Sequence, residues 1–117
     1  MKTSEYAQSF LPLREPTFFI LLSLAVGPRH GYAIYKDIER ISQDRVSLST
    51  STLYTAIKRL QELEWISREE DNSSRASGRE RKIYSLTDIG RRVLTAEVAR
   101  LNSLVLVAKQ RAVGENI

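Results

Sequence analysis

The stretch Ser47–Leu60, SLSTSTLYTAIKRL, places five hydroxyl residues, Ser47, Ser49, Thr50, Ser51 and Thr52, ahead of an amphipathic helical pattern. A helix starting near Thr50 turns Leu53, Ile57 and Leu60 to one side, and Leu63 extends that stripe. Ser51, Thr55, Lys58 and Glu62 share the opposite face, with Tyr54 close to it. Capping the helix needs one hydroxyl, from Ser49 or Thr50, so the others are surplus to capping. A helix N-terminus offers free N–H groups and a positive dipole end. Short hydroxyl side chains beside them suit phosphate oxygens and base edges in a major groove. Lys58 and Arg59 add positive charge one turn further on. A hydroxyl-rich, basic helix can equally be an ordinary surface helix, so its flanks decide between the two readings.

Upstream, Ile34, Ile38 and Ile41 step by four and three with Tyr35 on the same side, predicting a helix from about Tyr32 to Ser42. Lys36, Asp37, Glu39 and Arg40 are expected on its wet side. Pro28–Gly31 reads as a turn. Gly27-Pro28 stops an earlier helix that starts at Pro16 and carries Phe18, Phe19, Leu21, Leu22 and Leu24. Val46–Leu48 alternates like a very short strand. Met1–Phe10 is polar and expected to be flexible.

Downstream, Trp65–Glu69 and Lys82–Leu86 read as two strands around a Ser/Asn/Gly-rich loop, Asp71–Gly78. This hairpin carries Arg75, Arg79, Arg81 and Lys82. Thr87 suits the N-cap of a last helix, Asp88 to about Arg111, with Gly90 at the capping-box position where Glu is usual. Helix, turn, helix, recognition-type helix, hairpin and helix is the winged helix-turn-helix plan: mainly α with a small β-hairpin wing (α+β). The expected divisions are a flexible segment over 1–10, a DNA-binding domain over 11–87, and a C-terminal dimerisation helix and tail over 88–117. A basic hairpin beside such a helix can reach the adjacent DNA backbone.

The 117 residues suit one domain, and the net charge of +4 leans towards a polyanionic partner. With no cysteine, thiolate zinc sites, disulfides and a cysteine nucleophile are excluded. His30 is the only histidine, and no paired carboxylates stand at catalytic spacing. No catalytic residue, metal site or cofactor is therefore expected, and an enzyme is a remote reading. The apolar run Phe18–Val26 is too short to span a bilayer, and the expected location is the cytoplasm.

Along the last helix, Leu94, Val98, Leu101, Val105, Ala108 and Ala112 step by four and three, a heptad seam that Leu104 and Val107 broaden. Ile89 and Val93 are expected to pack on their own domain. Beyond about Leu101 a domain this small has little surface to cover the stripe, so a two-fold dimer through this helix is predicted. Two recognition helices must stand about 34 Å apart to enter successive major grooves.

Three segments, Ile20–Glu39 (ILLSLAVGPRHGYAIYKDIE), Leu48–Ile66 (LSTSTLYTAIKRLQELEWI) and Arg81–Leu94 (RKIYSLTDIGRRVL), resemble the PadR family of bacterial transcriptional regulators. The resemblance runs from about Leu11 to Leu106. It implies a dimeric winged-helix repressor on a pseudo-palindromic operator, released by a small-molecule effector at the dimer interface. On this resemblance His30 and Tyr32 contact DNA backbone, and Thr52 and Tyr54 face DNA while Leu53 is core. Lys58 and Arg59 match the family's basic pair, and Arg81, Lys82 and Tyr84 match the return strand of the wing. Thr50-Ser51 replaces the family's frequent Pro-Gly, and Glu64 stands where a glycine usually ends the recognition helix. Some short members of the family stack drugs on a tryptophan of the last helix, whereas Trp65 lies beside the hairpin and is expected in the core. The DNA-binding set is His30, Tyr32, Ser49, Thr50, Ser51, Thr52, Tyr54, Thr55, Lys58, Arg59, Arg75, Arg79, Arg81 and Lys82. The competing reading is a winged-helix protein–protein module that leaves DNA alone.

Overall fold

A computed structural model describes the backbone of residues 2–70 and 82–113 and the side chains of residues 5–70 and 82–111. The elements run α1 (Lys2–Gln8), α2 (Glu15–Ala25), β1 (Arg29–His30), α3 (Gly31–Ile41), α4 (Thr50–Glu62), β2 (Ile66–Glu70), β3 (Lys82–Leu86) and α5 (Asp88–Ala108). A π-helical turn, Lys109–Val113, continues α5. The strands form one antiparallel sheet in the order β1-β3-β2, with Glu70 opposite Lys82 and His30 opposite Ile83. This is the winged helix-turn-helix architecture.

Apolar periodicity builds the core. Ile20, Leu21 and Leu24 of α2 meet Ile34 and Ile38 of α3 and Leu53, Ile57 and Leu60 of α4. Trp65, Ile66, Tyr84, Val93 and Leu94 close it from the sheet and α5. Burying each such side chain fully contributes roughly 1.5–3 kcal/mol.

Several expectations are corrected. The N-terminal segment is not a loose tail, because Lys2–Gln8 is helical and packs on α5. Ala7 is buried, Trp65 Nε1 donates to Tyr6 Oη at 2.9 Å, and Phe10 meets the Trp65 ring edge-on at 5.0 Å. The Pro28–Gly31 turn contains β1, whose pairing with β3 lies far away in sequence. Val46–Leu48 is extended chain outside the sheet. Leu94, assigned above to the dimer seam, is 6% exposed and belongs to the core of its own chain, because α2 packs on this half of α5. Ile89 is 36% exposed rather than packed.

Two carboxylates are buried, and one of them, Asp37, was expected on the wet side of α3. Asp37 sits inside α3's apolar stripe and is held by Arg40 and, at 3.7 Å, by Arg29. Burial alone would push this carboxyl up, but the facing Ser23 hydroxyl and the two guanidinium groups outweigh it and hold the group below the usual carboxylate range. Glu97 is 2% exposed. It accepts hydrogen bonds from Arg100 Nε at 2.6 Å and from the Leu13 amide at 2.9 Å. The Arg100 bonds lower its pKa, burial opposes them, and the Leu13 amide adds to the lowering.

The corner between α4 and α5 is tightly closed. The Trp65 amide donates to Leu60 O and the Glu64 amide to Gln61 O, both at 2.9 Å, which is a Schellman motif. Its left-handed position is filled by Glu64, φ 65°, rather than by glycine. The missing glycine therefore leaves the corner's shape intact and adds strain of about 1 kcal/mol. Glu64→Gly is expected to stabilise the protein by about that amount in urea unfolding, and a loss of stability would contradict the strain. Across the corner the Thr87 amide donates to Trp65 O at 3.0 Å. Thr87 Oγ1 lies 2.7 Å from Glu64 O and 2.9 Å from Trp65 O, and it accepts the Gly90 amide. A Cβ on Gly90 would overlap the Trp65 carbonyl oxygen and stand 2.9 Å from its carbon, so the capping-box position admits no Glu.

Candidate nucleic-acid interface

Ser49 is the cap of α4: its hydroxyl accepts the Thr52 amide at 3.1 Å. The same hydroxyl donates to Thr52 Oγ1 at 2.9 Å and lies 3.2 Å from Ser51 Oγ, so three hydroxyls form one cluster at the helix start. Ser49, Thr50, Ser51, Thr52 and Thr55 are all exposed. None is needed by the core, which takes the Leu53-Ile57-Leu60 side. Lys58 and Arg59 are exposed one turn on, and Glu62 follows on the same face. The helix is thus uncharged and hydroxyl-fronted at its start, cationic in the middle and acidic at its end. Its hydroxyl start and cationic middle suit a polyanion, and its acidic end does not.

Tyr54 has a second task that the sequence does not announce. Its phenol lies on Gly31, the first residue of α3. A Cβ there would overlap the Tyr54 hydroxyl and stand 2.6 Å from Cζ. The HGY and STLY motifs are therefore joined in space, and the glycine is needed because the tyrosine occupies its side-chain volume. Tyr54 remains 37% exposed, so it seats α4 against α3 while keeping part of its surface open to solvent.

His30 is half-buried, with Nδ1 3.1 Å from Lys82 O, a contact that requires the Nδ1–H tautomer. This bond and the β1–β3 pairing root the hairpin on the residue that precedes α3. Tyr32 is 60% exposed and stacks on Tyr35 with centroids 6.0 Å apart. Between α4 and the sheet lies a groove of about 410 Å³ lined by Tyr54, Lys58, Gln61, Glu62, Arg68, Lys82 and others. It brings the predicted Tyr54, Lys58 and Lys82 together. It adds Arg68, which sequence reading missed, although Arg68 is exposed on β2 directly opposite Tyr84. Arg75, Arg79 and Arg81 lie outside the described residues.

On α5, Val98 and Val105 are each 46% exposed, Leu104 53%, Leu106 54% and Val107 50%. Leu101 and Ala108 are half-buried. This half of the helix thus leaves a continuous apolar surface in water. Among the described residues no helix is long and apolar enough to cross a membrane.

Comparison with known proteins gives a family match. The sequence fits the transcriptional regulator PadR-like family over residues 20–96. No curated protein matches it. Among solved structures it superposes on a PadR family transcription regulator from hypervirulent Clostridium difficile R20291 with a TM-score of 0.69 and 26% identity, covering 83% of this chain and 97% of that one. Against Bacillus subtilis PadR in complex with operator DNA the TM-score is 0.61 at 27% identity, covering 72% of this chain and 45% of the other. A single-residue mutant of S. aureus MepR gives 0.71 at 15% identity over 94% of this chain and 73% of that one, a likeness of fold alone. With the match running from α2 through the hairpin into α5, this chain belongs to the PadR-like family of transcriptional regulators and is not an enzyme.

Proposed function

We propose that the protein is a cytoplasmic repressor that binds a pseudo-palindromic operator as a homodimer and is released by a small-molecule effector. The observation that carries the reading is the hydroxyl-fronted start of α4, exposed and unused by the core, beside Lys58, Arg59 and the Arg68–Lys82 groove. Hydroxyls and amides at a helix start read base edges and phosphates, and flanking cations fix the register on the backbone. The related B. subtilis PadR is known in complex with operator DNA. Dimerisation through Val98, Leu101, Leu104, Val105 and Ala108 would cover apolar surface that is costly in a monomer. An effector favouring one dimer shape over another would change the separation of the two α4 helices and so the operator affinity.

Selection of bound duplexes from a random library tests this. The expected product is an inverted repeat with half-sites about one helical turn apart, bound by a species that sediments as a dimer at micromolar concentration. Lys58→Ala should weaken binding about fivefold and reduce the salt slope by about one unit. Tyr54→Ala should weaken it more, since it also unseats α4 from Gly31. A selection that enriches no sequence, or both variants binding like the parent, would overturn the assignment.

A further inference from the structure

We propose that the buried Asp37 carboxylate is a positioning residue for DNA binding, because through Arg29 it braces the short strand on which the hairpin is rooted. The inference rests on the DNA-binding reading above. Strand β1 has two residues, and its ladder partners are Tyr84 and Ile83 of β3. So short an edge is marginal on its backbone bonds alone. The Arg29 side chain adds the hold they lack. It is 27% exposed against 74% for Arg40, so it runs inward while Arg40 lies on the surface. Its Nε donates to Ser23 O at 2.9 Å. That carbonyl is among the last four of α2, which have no helical donor and form the negative end of the dipole. Arg29 Nη2 stands 3.7 Å from Asp37 Oδ2. One guanidinium thus joins the end of α2, the body of α3 and β1.

The brace leads into the candidate interface. Directly after Arg29, His30 bonds the Lys82 carbonyl and Gly31 lies under the Tyr54 ring. A β1 that slips therefore shifts Lys82 relative to α4. Asp37 also carries a negative charge in a protein proposed to bind a polyanion, so its charge alone opposes DNA. The brace and the bare charge predict opposite signs for its removal. Arg40 provides the internal control, since among the described residues it engages Asp37 and nothing in the sheet.

The test uses the full-length protein and a duplex that it has itself selected. Asp37→Asn should weaken operator binding about fivefold, whereas loss of an acid acting by charge alone would tighten it. Arg29→Gln should weaken binding by about as much, and the double variant no further, as two residues sharing one contact require. Arg40→Gln should stay within about twofold of the parent. In the free protein, amide exchange in β1 and β3 should rise about tenfold in Arg29→Gln while that in α5 does not. This readout needs no DNA, and it serves if Asp37→Asn fails to fold. Binding by folded Asp37→Asn that is unchanged or tighter overturns the positioning role. So do losses that add in the double variant, or an Arg40→Gln loss as large as that of Arg29→Gln. Unchanged exchange in β1 and β3 overturns the brace itself. A parent that binds no duplex overturns the DNA-binding reading and the positioning role with it, while the exchange result still decides the brace.

Discussion

Gly90→Ala should destabilise the protein by about 3 kcal/mol, the upper part of the range for overpacking a filled site. The sign makes the test sharp. Gly90 lies inside α5, where exchanging glycine for alanine ordinarily stabilises by about 1 kcal/mol. Here the added methyl meets backbone, the Trp65 carbonyl, and also Leu86 Cδ1 at 2.9 Å. A carbonyl already bonded to the Thr87 amide cannot swing aside without breaking the corner. Thermal unfolding at fixed protein concentration, which the proposed dimer requires, should show Tm lower by 10 °C or more, given roughly 4–8 °C per kcal/mol for a domain near this size. A variant as stable as the parent would show that α5 does not approach Trp65 this closely.

Removing the Glu97 carboxylate should cost about as much. Breaking a buried ion pair typically costs 3–5 kcal/mol, and Arg100 is partly exposed, so Glu97→Ala is placed at about 3 kcal/mol. The Leu13 amide loses its acceptor, so its hydrogen exchange should rise by more than that of amides in α2. Glu97→Gln keeps an acceptor and should lose less. The pH dependence has a definite sign. Glu97 and Asp37 both have carboxyl pKa values lowered by folding, so the unfolded chain binds more protons than the native one in acid. Their stabilisation is complete above about pH 4.3, the ordinary carboxylate range, and fades as pH falls through the folded values. Glu97→Gln should flatten that acid limb. An unchanged limb, or wild-type exchange at Leu13 in Glu97→Ala, would contradict the assigned contacts.

Both carboxylates show how far sequence patterning reaches. The steps of Ile34, Ile38 and Leu53, Ile57, Leu60 were legible because burial follows the helical period. Glu97 falls three residues after Leu94 and four before Leu101, and Asp37 three after Ile34 and four before Ile41. An acid on an apolar stripe was the available signal in both helices, and placing Asp37 on the wet side of its helix passed over it. The helix α1 gave no such signal. It spans seven residues, too short to persist alone in water, and is held by Ala7, Tyr6 and the Phe10–Trp65 contact that follows it. The short strand β1 is set by its partner β3, some fifty residues on, which local propensity cannot foresee. In the candidate interface the start of α4, its cap and its outward hydroxyls were readable from residue type and period. Arg68 was not, because its place beside α4 depends on how distant segments meet.

The closed corner at Trp65, Thr87 and Gly90 also has a bearing on descent. With no slack there, α5 behaves as a rigid handle about 31 Å long at 1.5 Å per residue, fixed to the reading head. On the proposed dimer, a tilt of about 5° where two handles cross would displace α4 by about 3 Å over that length. Changes in Val98–Ala108 could thus re-pitch the half-site spacing while Ser49–Arg59 keeps its base preference. The two traits sit on separate stretches of chain and are free to drift independently.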